Sequence, residues 1–166
     1  NEMEGLDVLS RYAELFGLTE KSGVEITETS PKVSTEDPVR SAIGQGNSSY
    51  TTVGLARYVA TVANGGTCYN LTLLDKVTDS DGNIIQEFEP DIRNQIELPQ
   101  EYWDAIHLGM RQVVEGKSYF NNLAVNVAGK TGTAEQLKTR PSHALFVCYA
   151  PYETPEIAIA TRIPFG

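Results

Sequence analysis

Residues 127–134 of this 166-residue chain read Val-Ala-Gly-Lys-Thr-Gly-Thr-Ala, and this stretch is typical of a β-strand with a polar outer part. Because successive strand side chains point to opposite faces, Thr131 and Thr133 are expected to share one face. Gly132 between them lets the backbone of a ligand approach closely. The ammonium group of Lys130 and the two hydroxyls suit a carboxylate, and a strand edge can pair with an extended peptide. Taken alone, the stretch is compatible with two interpretations: a strand edge that binds an anionic peptide end, and a strand end with a solvated lysine.

The same residues match the end of a nucleotide-binding P-loop, G-x-x-x-x-G-K-[ST], through Gly129-Lys130-Thr131. That motif needs a leading glycine where this chain has Ala124. It must also open a helix whose N-terminus holds phosphate, but residues 135–141 carry no apolar helical stripe and end at a proline. We therefore reject a nucleotide site.

Three apolar runs around this stretch predict an antiparallel sheet. Leu123–Ala128 is short and β-branched, Ala144–Ala150 is apolar on both faces, and Ile157–Ile163 alternates isoleucine with smaller or polar residues. A Tyr-Glu-Thr-Pro turn separates the last two runs. Consecutive strands joined this way form an antiparallel sheet, and runs this apolar predict that its faces are covered.

Helical periodicity dominates the part of the chain before the sheet. A first helix is predicted from about Asp7, as its cap, to Phe16, with Gly17 ending it. A second helix, capped by Thr51 or Thr52 and ended by Asn64-Gly65-Gly66, is apolar nearly all round and so is expected to be buried. A third helix starts near Pro99 and ends before Gly116, and its predicted core stripe is Trp103, Ile106, Met110 and Val113.

Two further features complete the predicted organisation. Residues 17–50 show no sustained period and are expected to form a long irregular connection, in which Gly44-Gln45-Gly46 is a structural turn. Leu71–Thr78 and Ile84–Phe88 are strand-like and flank an Asp-Gly turn, which is typical of a hairpin. Helices first and strands last describe a single α+β domain.

The charge of the chain limits its partners. The chain carries 13 basic and 22 acidic residues and a net charge of −9, so we expect it to bind neither nucleic acid nor anionic lipid. Residues 127–166, with four basic and three acidic residues, are the one region that would not repel an anionic ligand. Cys68 and Cys148 lie 80 residues apart and are expected to be free thiols, with a single disulfide between them as the alternative. His107 and His143 are too isolated for a metal site, so no metal or cofactor is expected.

Several motifs in a fixed order resemble one family. They are Ile43-Gly44-Gln45-Gly46, the helix ending Ala63-Asn64-Gly65-Gly66, Val77-Thr78-Asp79-Ser80-Asp81-Gly82-Asn83, Ala128-Gly129-Lys130-Thr131-Gly132-Thr133-Ala134, His143–Val147 and Pro155–Ala160. Together they resemble the transpeptidase domain of class B penicillin-binding proteins, closest to penicillin-binding protein 2, over nearly the whole chain. The Lys-Thr-Gly tripeptide, K-T-G, forms one wall of the serine acyl-transfer site in that family and in β-lactamases.

Two elements of that family are not present in the chain. The family places its nucleophilic serine in S-x-x-K and a second serine in S-x-N, both upstream of K-T-G. None of the ten serines here has lysine three residues on or asparagine two residues on. The resemblance therefore implies that residues 1–166 are the C-terminal part of a single transpeptidase domain, beginning just after S-x-N at Asn1 and lacking the terminal helix. We expect a fragment of the penicillin-binding-protein/β-lactamase-like fold that has no nucleophile and is inactive alone.

The resemblance implies a D,D-transpeptidase as the complete enzyme. Its serine would attack the D-Ala-D-Ala bond of a peptidoglycan stem peptide, and β-lactams would acylate the same serine. It implies that Lys130 supplies positive potential and bonds to the S-x-N serine, while the hydroxyls of Thr131 and Thr133 hold the terminal carboxylate. Gly132 belongs to the same binding element, and the backbone N–H of Thr133 would be one oxyanion-hole donor.

The same resemblance implies the cellular setting. The complete enzyme would be anchored by an N-terminal membrane helix, with this domain outside the cytoplasm, and would partner a glycosyltransferase of the elongation machinery. The fragment itself is expected to be soluble and, with apolar surface uncovered, to dimerise or swap strands. Two alternatives stay open: a β-lactamase or β-lactam-sensing domain of the same fold, and an assembly module without chemistry.

Overall fold

A computed structural model of the chain describes residues 2–134 and 139–166, and it contains four α-helices and seven β-strands in that part. The helices are α1 Glu2–Leu15, α2 Pro38–Ala42, α3 Thr52–Ala63 and α4 Gln100–Glu115, and a 3-10 turn covers Ser118–Phe120. The strands are β1 Thr67–Asn70, β2 Lys76–Thr78, β3 Ile84–Glu87, β4 Asp91–Gln95, β5 Ala128–Ala134, β6 His143–Ala150 and β7 Ile157–Ile163. The predicted α+β class is confirmed.

The central element is an antiparallel sheet with the order β5-β6-β7. Its register aligns Ala128 with Tyr149 and Tyr149 with Ala158, so these side chains form a row on one face. Val59 and Ala63 of α3 pack against Ala128 and Tyr149 in a buried cluster. This helix-covered face forms the main core.

The opposite face of the sheet is only partly covered. Val114 of α4 packs there with Val127 and Cys148, and Phe120 and Phe146 lie against this cluster. Beyond the cluster, the β7 residues on this face are well exposed: Ile157 by 56%, Ile159 by 44% and Ile163 by 55%. The prediction that both faces are covered is therefore wrong for the outer face of β7.

The three long helices are confirmed, with differences at their ends. The first helix begins at Glu2, so Asp7 lies inside it and is not its cap; it ends at Leu15. Thr51 caps α3 as predicted, because its hydroxyl oxygen accepts a 3.0 Å hydrogen bond from the Gly54 N–H.

The core stripe predicted for α4 is only partly correct. Trp103 is buried and Met110 packs against the main core, as predicted. Ile106 is exposed, and Val114, not Val113, is the buried valine near the C-terminal end of the helix. Val114 packs in the cluster with Val127 and Cys148, on the face of the sheet opposite to the main core. The C-terminal end of α4 therefore contacts a different surface from the part of the helix that carries Met110.

The strand predictions hold for β6, β7 and the hairpin β2–β3, but fail elsewhere. The predicted strand Leu71–Thr78 is shortened to Lys76–Thr78, and only Ala128 of the predicted strand Leu123–Ala128 is extended. Strands β1 and β4, which pair antiparallel with each other, were not predicted. Their sequences, Thr-Cys-Tyr-Asn and Asp-Ile-Arg-Asn-Gln, are polar and lack an apolar alternation.

The connection over residues 17–50 is irregular as predicted, apart from α2 and an isolated bridge between Lys32 and Ser49. Both cysteines are free and buried, which confirms the prediction for Cys68 and Cys148. The expectation that no helix follows the Gly129-Lys130-Thr131 sequence, on which the rejection of a P-loop partly depends, concerns residues 135–141. Positions 135–138 of this segment lie outside the described residues, as does Asn1. None of the described helices is long and apolar enough to cross a membrane.

Candidate active site

The K-T-G residues lie in β5, at the end of the sheet order, where the strand pairs with β6 on one side only among the described residues. The side chains of Lys130, Thr131 and Thr133 are exposed, and Gly132 is half-buried. The predicted strand edge is therefore present, and neither the lysine nor the threonines point into a packed interior.

The register with β6 assigns each side chain to a face. Lys130 pairs with Val147, Thr131 with Phe146 and Thr133 with Ala144. By strand alternation, Thr131 and Thr133 share one face, as their spacing predicts. Lys130 belongs to the face that α3 and α4 cover further along the strand, yet it remains exposed.

Two backbone carbonyls of the K-T-G stretch accept hydrogen bonds from side chains. The Thr131 carbonyl accepts a 2.7 Å bond from Lys130 Nζ, and the Thr133 carbonyl accepts a 3.1 Å bond from Gln45 Nε2. In an antiparallel pair, the N–H and C=O of one residue point to the same edge of the strand, neighbouring residues point to opposite edges, and residues two positions apart therefore share an edge. We infer that the Thr131 and Thr133 peptide groups point to the edge that β6 does not occupy.

Gly129 seats this strand on the sheet. A Cβ atom at this position would lie 2.6 Å from Phe146 Cζ and 2.8 Å from the Val147 carbonyl oxygen, so no larger residue fits without a shift. The Phe146 ring in turn lies against Phe120, with ring centroids 5.6 Å apart. The strand is thereby held against the body of the protein immediately before Lys130.

Burial keeps the Tyr149 phenol and the Cys148 thiol, both behind the site, in their neutral forms. Burial raises the pKa of Tyr149, next to Tyr152, to about 12, and burial also raises the pKa of the Cys148 thiol. His107 lies 2.7 Å from the Val62 carbonyl and packs between Trp103 and Tyr149. The described residues contain no group of three or more metal-ligating side chains.

A cavity of about 490 Å³ lies beside the end of β5. The Gly44–Gly46 turn and the N-terminal end of α3 form one side, and Ala134, His143, Leu145 and Arg162 form the other. The turn was predicted, but its contact with β5 was not. Gln45 is a polar residue between two glycines, and that is the only local signal that marks it.

A family model described as the penicillin binding protein transpeptidase domain matches residues 2–165. The chain belongs to this family. The assignment to class B, penicillin-binding protein 2-like proteins and the transpeptidase fold predicted from the motifs are confirmed.

Relatives and solved structures agree with the family model. Penicillin-binding protein 2A of Bacillus subtilis is 28% identical over 186 residues, covering 99% of this chain and 26% of that protein. Peptidoglycan D,D-transpeptidase PbpA of Mycolicibacterium smegmatis is 28% identical, covering 98% of this chain and 35% of that protein. A ceftriaxone acyl-enzyme complex of penicillin-binding protein A from Mycobacterium tuberculosis is 25% identical with a TM-score of 0.85, covering 96% of this chain and 38% of that chain.

The chain spans about a quarter to a third of the length of the curated relatives it matches. The alignment with the solved structure covers nearly all of this chain, so the fold described above is that of the corresponding part of the relatives.

Proposed function

We propose that this chain is the C-terminal part of a peptidoglycan D,D-transpeptidase domain, and that it supplies the K-T-G wall of a serine acyl-transfer site. The observation that carries the proposal is the exposed edge of β5, which presents one cation and two hydroxyls beside backbone groups that do not pair with β6. A peptide that ends in a carboxylate can bind such an edge. The relatives named transpeptidases and the acyl-enzyme complex of one of them support the same chemistry.

The reaction needs a serine that this chain does not hold in an S-x-x-K context. In the complete protein, that serine Oγ would attack the carbonyl of the penultimate D-Ala of a stem peptide. The C–N bond to the last D-Ala breaks, the amine takes up a proton, and an acyl-enzyme remains. An amine of a neighbouring stem peptide then attacks the ester and releases the serine with a new cross-link. A β-lactam acylates the same serine by opening its ring.

Each residue of the strand has one role in this proposal. Lys130 provides the positive potential next to the reacting groups. The hydroxyls of Thr131 and Thr133 bind the terminal carboxylate, and Gly132 leaves room for the ligand backbone. The N–H of Thr133 donates to the oxyanion that forms during attack, and one such donor is typically worth about 2.7–4 kcal/mol of barrier.

The partners follow from the same proposal. The substrate is the D-Ala-D-Ala end of a stem peptide, and the inhibitors are β-lactams. By its resemblance to penicillin-binding protein 2, the complete protein would act beside a glycosyltransferase and be held at the outer face of the cell membrane. The isolated chain, which lacks the attacking serine, would have no activity.

Substitution of Lys130 tests the role of the strand. In the full-length protein, Lys130→Ala should lower the rate of acylation by a fluorescent penicillin by about 10–100-fold, because it removes a charge-assisted interaction at the site. Lys76→Ala in the exposed hairpin is the matched control and should leave the rate unchanged. The melting temperature should not change for either variant, since both lysines are on the surface.

An acylation rate that is unaffected by Lys130→Ala would remove Lys130 from the site. Rapid turnover of penicillin by the full-length protein would indicate a β-lactamase instead, and absence of any covalent labelling would contradict serine acyl transfer altogether.

A further inference from the structure

Gln45 joins two parts of the chain that the proposed function does not connect. Its Nε2 donates a 3.1 Å hydrogen bond to the carbonyl of Thr133, 88 positions further along the chain. Thr133 is the penultimate residue of β5, and the pairing of β5 with β6 ends one residue later, at Ala134 and His143. The hydrogen bond therefore holds the end of β5, an edge strand, at the point where its pairing with β6 ends.

The turn that carries Gln45 has a narrowly defined backbone. Gly44 and Gly46 on either side have φ values of +78° and +97°, which favour glycine. A Cβ atom at Gly46 would lie 2.8 Å from the hydroxyl oxygens of both Ser34 and Ser41, so a larger residue would clash there. These restrictions on Gly44 and Gly46 define the backbone position from which the Gln45 side chain projects.

Hydrogen bonds between two buried serines and from the turn to α2 support the turn. The hydroxyl oxygens of Ser34 and Ser41, both buried, lie 2.6 Å apart and lie 3.1 and 2.8 Å from the Glu36 carbonyl. The Gln45 N–H donates to the Arg40 carbonyl at the end of α2. The backbone of the turn and its support thus hold Gln45 within hydrogen-bonding distance of Thr133.

The hydrogen bond fixes the peptide plane between Thr133 and Ala134, and the extended backbone of Thr133 in β5 then directs its own N–H to the same edge of the strand. We propose that Gln45 is a positioning residue that aligns the Thr133 N–H for the oxyanion. This inference rests on the proposed function. A donor that is fixed before the reaction stabilises the transition state more than one that must be aligned during it.

A positioning role makes a specific kinetic prediction. The Thr133 N–H acts on charge that develops in the transition state, whereas the first, non-covalent binding of a β-lactam depends on Lys130 and the threonine hydroxyls. Loss of the Gln45 bond should therefore lower the rate constant of acylation at saturating β-lactam and leave the dissociation constant of the non-covalent complex nearly unchanged. A bond that only stabilises the fold would lower the melting temperature without this split.

The test compares Gln45→Met with wild type in the full-length protein, by stopped-flow measurement of acylation with a fluorescent penicillin. Methionine has a similar length but no donor and no charge, so it adds no repulsion toward an oxyanion. We expect a saturating rate constant about tenfold lower with the dissociation constant within twofold. The matched control is Gln112→Met on the exposed side of α4, which should match wild type in both constants.

A first-order acylation constant does not depend on the fraction of folded protein, so partial unfolding of a variant does not obscure the result. If wild type is acylated and Gln45→Met is acylated at the same saturating rate, the positioning role is overturned and the proposed function is left intact. A change confined to the dissociation constant would also overturn it. Wild type that is not acylated would overturn both.

Discussion

Arg57 shows how a single side chain organises the region that precedes the sheet. It lies in α3, only 1% exposed, and its guanidinium donates to the carbonyls of Gly17, Glu20, Lys21 and Ser22. The guanidinium needs a glycine at position 17, because a Cβ atom there would lie 2.6 Å from Arg57 Nε. Burial lowers the pKa of Arg57, and the surrounding carbonyl oxygens offset the cost of burying the charge. The irregular segment after α1 is therefore held by a buried cation.

Arg57→Met should lower the free energy of unfolding by about 3 kcal/mol or more, because it removes the donors from four backbone carbonyls at once. Urea unfolding followed by the fluorescence of Trp103, the only tryptophan of the chain, measures this change. Arg40→Met, at an exposed arginine of α2, is the matched control and should change the stability by less than about 0.5 kcal/mol. Equal effects of the two substitutions would show that the buried guanidinium does not support the segment.

Residue-scale contacts of this kind are hard to predict from sequence. Arg57 falls in a helix whose apolar residues were predicted to be buried, and nothing in its neighbours indicates that four distant carbonyls will meet it. Gln45 and Thr133 are likewise joined only by the fold. The role of the K-T-G residues stays a prediction, which the sequence permits because these residues lie within one local motif, whereas their supporting contacts come from residues far away in the chain.

At the scale of elements, Glu28 fastens the 17–50 segment to the start of α3. Its carboxylate accepts hydrogen bonds from the N–H and hydroxyl of Ser22, at 2.8 and 2.9 Å, and from the hydroxyl of Thr51, at 2.8 Å. Thr51 is itself the N-cap of α3. Burial alone would raise the pKa of Glu28, but these hydrogen bonds and the nearby Arg57 together hold it below its usual value of 4.5.

This lowered pKa gives stability that depends on pH. The ionised carboxylate is favoured in the folded state, so its contribution is complete well above pH 4.5 and is lost as pH falls through the lower pKa of the folded protein. Glu28→Gln should therefore reduce the free energy of unfolding by about 1–2 kcal/mol at pH 7 and by progressively less below pH 4.5. Urea unfolding over pH 3–7 measures the difference.

Glu36→Gln, at an exposed carboxylate of the same segment, is the control and should change the free energy of unfolding at pH 7 by less than about 0.5 kcal/mol. A stability difference between wild type and Glu28→Gln that stays constant from pH 7 to pH 3 would contradict the assignment of the effect to the ionised carboxylate.

The elements that could be predicted are those with local signals. Helix α3 has its cap, its period and its terminating glycines within one short stretch, and β6 and β7 are strongly apolar. Strands β1 and β4 are polar and become strands only through pairing with each other, across more than twenty residues. The apolar run Leu123–Val127 does not form a strand, and Val127 is instead buried in the cluster against α4.

In the described part of the molecule, helices cover one face of the β5-β6-β7 sheet, and the other face is only partly covered. The three exposed isoleucines of β7 form an apolar strip that a complete domain would be expected to cover. The chain spans only a quarter to a third of its curated relatives, which agrees with this arrangement. Dimerisation or strand exchange of the isolated chain through this strip stays a prediction.

Covalent labelling by a fluorescent penicillin shows whether these residues hold the nucleophile, when the 166-residue chain and the full-length protein are compared on one denaturing gel. The proposed function gives the chain the binding wall, and no serine of the chain is in an S-x-x-K context, so we expect a labelled full-length protein and an unlabelled chain. A labelled chain would contradict the account, because the nucleophile would then lie within these residues. An unlabelled full-length protein would contradict it as well, because the K-T-G edge would then serve no acyl transfer.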